Sequence, residues 1–85
     1  MVFRYKTKGT CTSEIVMELD DEHIIKSIEF KNGCSGNLKG IAALVVGRKA
    51  EEVINVLSGI TCGFKNTSCP DQLSKALFEA ISNEN

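Results

Sequence analysis

Apolar side chains recur at every second position through the first thirty residues and at every third or fourth position afterwards. One kind of element cannot serve both periods. Alternation lines one face of a strand, and 3.6-residue spacing lines one face of a helix. "VFRYKTK" sets Phe3 and Tyr5 against Arg4 and Lys6, and "TSEIVMELD" sets Ile15, Met17 and Leu19 against Glu14, Val16 and Glu18. After a polar turn, "DDEH", the stretch "HIIKSIEFK" puts Ile24, Ile28 and Phe30 on one face. Two strands joined by so short a link read as an antiparallel hairpin.

From residue 33 the texture changes. "NGCSGNLKGIAALVVG" opens on Gly and Cys and runs apolar to Gly47, and a terminal glycine suits a helix C-cap. "KAEEVINVLSG" carries Ala50, Val53, Ile54 and Leu57 at helical spacing and also stops at a glycine. "PDQLSKALFEAIS" lines up Leu73, Ala76, Leu77, Ala80 and Ile81 as an amphipathic stripe. Strands followed by helices predict an α+β fold: a small N-terminal antiparallel sheet of three strands covered by about three C-terminal helices. Residues 1–85 are expected to be a single domain.

At 85 residues the chain lies near the lower size limit for folding on a core alone, so a metal, disulfides or a second subunit becomes an expected aid. A homodimer fits that need, and the run "IAALVV" is expected to be core or a subunit interface. Apolar residues make up 42% and the net charge is −1, an ordinary globular balance. The basic residues form no stripe with aromatics between them, which argues against a nucleic-acid partner. The opening "MVFRYKTKG" lacks an apolar signal core, and no apolar run approaches a membrane span. These features predict a cytoplasmic protein with reduced thiols and no membrane partner.

The four cysteines then require an account. Cys11, Cys34, Cys62 and Cys69 form no C-x-x-C, so neither a zinc ribbon nor a thioredoxin-type motif is indicated. Each falls at the edge or end of an expected element, and "GTC", "NGCSG", "TCG" and "TSC" surround the sulfurs with small residues. Small neighbours let backbone N–H groups approach a thiolate or a cluster sulfur. The pattern points to a closed ligand set of Cys11, Cys34, Cys62 and Cys69. It would hold Zn²⁺ or an iron–sulfur cluster, with Gly33, Gly36 and Gly63 giving backbone approach. The plainer alternatives are four unrelated, partly buried cysteines, or disulfides.

In "TSCPD" the sole proline is expected at the first helical position, where its missing N–H costs nothing. That makes Cys69 the expected N-cap, with Asp71 at N2 and Gln72 at N3. The unpaired N–H groups and the positive dipole end would favour a thiolate there. Asp71 would serve the cap region or supply an additional oxygen ligand. A redox alternative makes Cys69 the nucleophile and Cys62 the resolving thiol. His23 in its polar turn is expected to be solvated, and Glu51 and Glu52 to start a helix. "GCSGNLKG" lacks the Walker pattern but could seat an anion at a helix start.

With "GTCTSEI", "IEFKNGCSGNLKGI" and "GITCGFKNTSCPDQL" in view, the chain resembles the stand-alone TSCPD-domain family over nearly its whole length. Related domains lie at the C-terminus of B12-dependent ribonucleotide reductases. The resemblance implies an accessory metal- or thiol-bearing role beside ribonucleotide reductase or a cluster-using protein. Complete ribonucleotide reduction is not expected, since a barrel domain, a radical generator and a nucleotide site would not fit in this length. A second, more distant likeness is to the U-type iron–sulfur cluster scaffold proteins, through Phe30, Gly33, Cys34, Gly47, Lys49 and Glu51–Glu52. It implies a scaffold-like α+β fold. The fourth cysteine and the TSCPD turn depart from the scaffold pattern, so a metal site in the same place is implied rather than cluster assembly. An interaction domain without metal completes the readings.

Overall fold

The computed structural model describes residues 2–9, 12–32, 35–61, 63 and 67–84; of Ser35, Asn83 and Glu84 it describes the backbone alone. The described residues form strands β1 (Val2–Lys6), β2 (Glu14–Leu19) and β3 (Ile25–Lys31), then helices α1 (Ser35–Val45), α2 (Ala50–Leu57) and α3 (Cys69–Glu84). The strands make one antiparallel sheet in the order β1-β2-β3. This is the α+β arrangement that the change of period predicts.

Alternation decides which sheet face is covered. Phe3 pairs with Met17 and Tyr5 with Ile15 across β1 and β2, and Ile15 and Met17 pair with Phe30 and Ile28 of β3. Ile15, Met17 and Leu19 are fully buried on this face. The helices supply the other half of the core through Val45, Ala50, Val53, Leu73, Ala76, Leu77 and Ala80. Burying one Leu or Ile side chain contributes about 1.5–3 kcal/mol, so this cluster is the main favourable term. Helix α1 contacts β3, α3 contacts β1, and α2 packs against α3.

One strand departs from strict alternation. Ile25, not Ile24, is the fully buried residue at the start of β3. The register slips between Glu18 and Leu19: Glu18 faces Ser27, but Leu19 faces Ile25. Lys26 is therefore the extra residue of a β-bulge, which reverses the facing of everything before it. Ile24 is half-buried and bridges instead to Lys49. The Ile25 N–H donates to the Arg48 carbonyl and the Gly47 N–H donates to the Ile25 carbonyl, so the α1–α2 connection extends the sheet edge.

The turn before β3 is less solvated than its composition suggests. The Asp20 carboxylate accepts from the Glu22 and Ile24 N–H groups. His23 adopts φ 67° and its Nδ1 lies 2.7 Å from Glu51 Oε2 at the start of α2. Its side chain is only 24% exposed, which replaces the expected solvated histidine with one tied across the fold. That hydrogen bond is the main cause holding the Glu51 carboxyl below its ordinary value.

Candidate functional site

The five residues of the TSCPD turn form the most densely hydrogen-bonded place among the described residues. Ser68, not Cys69, is the N-cap of α3. Its Oγ accepts from the Asp71 N–H at 3.2 Å, and its carbonyl accepts from the Gln72 N–H at 2.8 Å. A hydroxyl is the stronger acceptor, so it displaces the thiol from the cap. Cys69 and Pro70 move to the first two helical positions. Proline is still tolerated there, because the N–H groups of the whole first turn lack intrahelical partners. The Ser68 hydroxyl itself donates to the Ile60 carbonyl at 2.7 Å.

Asp71 is the hub. Its side chain is 5% exposed. Oδ1 accepts from the Gly59 N–H at 2.7 Å, Oδ2 accepts from the Thr67 hydroxyl, and Lys75 Nζ approaches Oδ2 to 3.4 Å. Burial raises the Asp71 carboxyl, but the Thr67 hydroxyl, the Gly59 N–H and the Lys75 ammonium outweigh it and hold the group below its ordinary value. Gly59 has φ 85° just beyond the end of α2, the left-handed position that commonly follows a helix. Asp71 thus ties the end of α2 to the start of α3. Both oxygens of this expected additional ligand accept hydrogen bonds from the chain.

The β1–β2 connection closes over the same turn. The Lys8 N–H donates to Gln72 Oε1 at 3.0 Å, while Gln72 Nε2 donates to the Thr67 hydroxyl at 3.0 Å. Gly9, at φ 75°, passes so near Thr67 that a Cβ there would lie 3.0 Å from Thr67 Cγ2. Thr12 is buried, and its Oγ1 lies 3.1 Å from Cys69 Sγ. The thiol is half-buried, forms no disulfide, and sits at the N-terminal end of a sixteen-residue helix.

Of the other expected site residues, Cys11, Gly33, Cys34 and Cys62 lie outside the described residues. Positions flanking them are described, and they lead to the turn. Thr12, next to Cys11, touches Cys69. Ser13 accepts a hydrogen bond at its Oγ from Asn32 Nδ2 at 2.8 Å, and its N–H donates to the Lys31 carbonyl, which brings in the chain just before Gly33 and Cys34. Ile60, two residues before Cys62, accepts from Ser68. Among the described residues, nothing lies within 4 Å of where a Cβ would stand at Gly36 or Gly63. Among the described residues, the glycine where an added Cβ would meet a neighbour is Gly9. No three His, Cys, Asp or Glu side chains among the described residues cluster as a metal site.

The roles of Gly9, Thr12, Thr67 and Gln72 were not read from the sequence. Each acts across the fold, and only "TSCPDQ" as a polar run at the head of an apolar helix signals two of them. Fold and turn together define a small α+β domain whose cysteine-bearing helix start is latched by the β1–β2 and α2–α3 connections. The family model described as TSCPD domain matches residues 3–81, and the chain belongs to that family. No curated protein and no solved structure matches the chain.

Proposed function

We propose that this TSCPD domain gathers the thiolates of Cys11, Cys34, Cys62 and Cys69 around one Zn²⁺ ion or iron–sulfur cluster at the start of α3, as a metal-carrying accessory module. The observation that carries the reading is the 3.1 Å contact between Thr12 Oγ1 and Cys69 Sγ. It ties the chain beside Cys11 directly to Cys69. The Ser13–Asn32 and Ser68–Ile60 hydrogen bonds bring the approaches to Cys34 and Cys62 to the same region.

The described donors suit such a group. Thiolates are the usual ligands of structural zinc and of iron–sulfur clusters. A threonine hydroxyl beside one sulfur and the N–H groups of a helix start are the kind of outer donors that stabilise ligand sulfurs. Bound zinc would cross-link four segments of a small chain, and a cluster would add electron transfer. The partner in either case would be a ribonucleotide reductase or a cluster-using protein.

The test is anaerobic purification followed by zinc and iron analysis and thiol titration. Near-stoichiometric metal is expected, with affinity falling at least about tenfold in Cys34→Ser. Metal-free protein with a single fast-reacting thiol at Cys69 would instead support the redox reading, with Cys69 as nucleophile and Cys62 resolving it. The placement of Cys69 in the first turn of α3 is what keeps that second reading open.

A further inference from the structure

The turn between β2 and β3 meets the start of α2 around the chain's single histidine. The His23 carbonyl accepts from the Ala50 N–H at 2.8 Å, which satisfies one of the donors that a helix start leaves open. The His23 ring sets Nδ1 2.7 Å from Glu51 Oε2, and the next residue, Ile24, bridges to Lys49. With the Ile25–Arg48 and Gly47–Ile25 bonds, these contacts hold the α1–α2 connection on the sheet edge. Residues 47–49 of that connection are exposed, so backbone bonds and the ring contact hold it rather than apolar burial. His23 itself sits at φ 67°, where a residue other than glycine is disfavoured. Backbone held in that region relaxes when the contact opens.

Charge decides when the ring contact is strong. The elements that meet here carry Asp20, Asp21 and Glu22 on the turn, Lys26 on β3, Arg48 and Lys49 on the connection, and Glu51 and Glu52 on α2. Asp20 is paired with Lys26 at 3.5 Å and Arg48 with Glu52 at 2.8 Å. Beside these groups, the imidazole is the one that ordinarily changes charge between about pH 5 and 8. The sign follows from Glu51. Its carboxyl is held below its ordinary 4.5, first by the His23 hydrogen bond, so it is ionised through that range. A carboxylate favours the charged form of the ring it touches, just as the ring favours the carboxylate. The hold is therefore fully present with His23 protonated and is lost as pH rises through the histidine range near about 6.5. It is also lost in acid, as pH falls through the lowered Glu51 value. Glu51 is 55% exposed, so solvent screens the pair and keeps the effect modest.

We propose that His23 and Glu51 form a pH-sensitive clasp that sets how often the α1–α2 connection opens from the sheet edge. With the ring protonated, the clasp keeps the connection closed. With the ring neutral, only an uncharged donor faces the carboxylate, and the connection opens more often. The clasp is independent of any metal at the α3 turn.

Amide hydrogen exchange, corrected for its intrinsic pH dependence, reads the opening directly. In the natural chain, opening at Ala50 and Gly47 should be about two- to fivefold rarer at about pH 5.5 than at about pH 8. Both amides should exchange faster than those of the buried strand β2, because the opening is local. Glu51→Gln and His23→Asn should each remove the pH dependence. Asparagine tolerates the left-handed backbone at position 23, so the second variant keeps the turn. Equal protection of Ala50 and Gly47 at the two pH values overturns the clasp, as does a pH dependence that Glu51→Gln leaves intact. Exchange of the two amides only in step with β2 overturns the opening of the connection by itself.

Discussion

Asp71 is a buried carboxylate with three partners, all of which recognise its ionised form. Two are donors that would be left unsatisfied without it, the Gly59 N–H and the Thr67 hydroxyl. Replacing it by alanine should therefore destabilise the fold by about 2–4 kcal/mol, since buried donors lose a charged acceptor. Chemical denaturation measures that loss. Because the folded carboxyl is held below its ordinary value of 3.8, its contribution is fully present above that value and is lost as pH falls through the lower folded one. The stability difference between the natural chain and Asp71→Asn should accordingly shrink in strong acid and be constant above about pH 5. The exposed Lys75 adds less, because solvent screens it. At this scale the sequence indicated a cap region but placed the thiol in the cap. Serine one position earlier wins because its oxygen accepts the Asp71 N–H and its hydroxyl still has the Ile60 carbonyl to reach.

The strands and helices were legible because period 2 and period 3.6 are local patterns of the chain. The stripe of Leu73, Ala76, Leu77 and Ala80 is fully buried, and so are Ile15, Met17 and Leu19 of the alternating β2. The bulge at Lys26 was not legible, since "HIIKSIEF" offers two adjacent isoleucines and alternation from Phe30 selects the wrong one. What decides between them lies elsewhere in the chain: the Arg48 carbonyl and the Gly47 N–H hold Ile25, and the Ala50 N–H donates to the His23 carbonyl. Ile25→Ala should cost about 2–4 kcal/mol as a core truncation. Ile24→Ala, half-buried at the edge, should cost clearly less. Equal losses in urea denaturation would contradict the bulge.

Across the whole molecule, the loop between β1 and β2 is latched to the start of α3 by Lys8, Gly9 and Thr12. Gly9 allows this closeness, since a side chain there would be strained at φ 75° and crowd Thr67. Gly9→Ala should destabilise by about 1–2 kcal/mol, seen as a fall in Tm of about 5–15 °C for a domain of this size. On the metal reading, chelation should lower Tm by a further margin of at least about 10 °C, and Cys34→Ser should abolish that sensitivity. No described helix is long and apolar enough to cross a membrane. The sequence by itself determined the order of the elements and the faces they bury, because period and burial are local properties of the chain. It also determined the family, through "GTCTSEI", "NGCSG" and "TSCPD". Only the tertiary structure decided which residues surround Cys69, because Thr12 is 57 positions away and Gln72 is 64 from Lys8. Contacts at that separation leave no period to read; they exist only once the sheet and helices have packed.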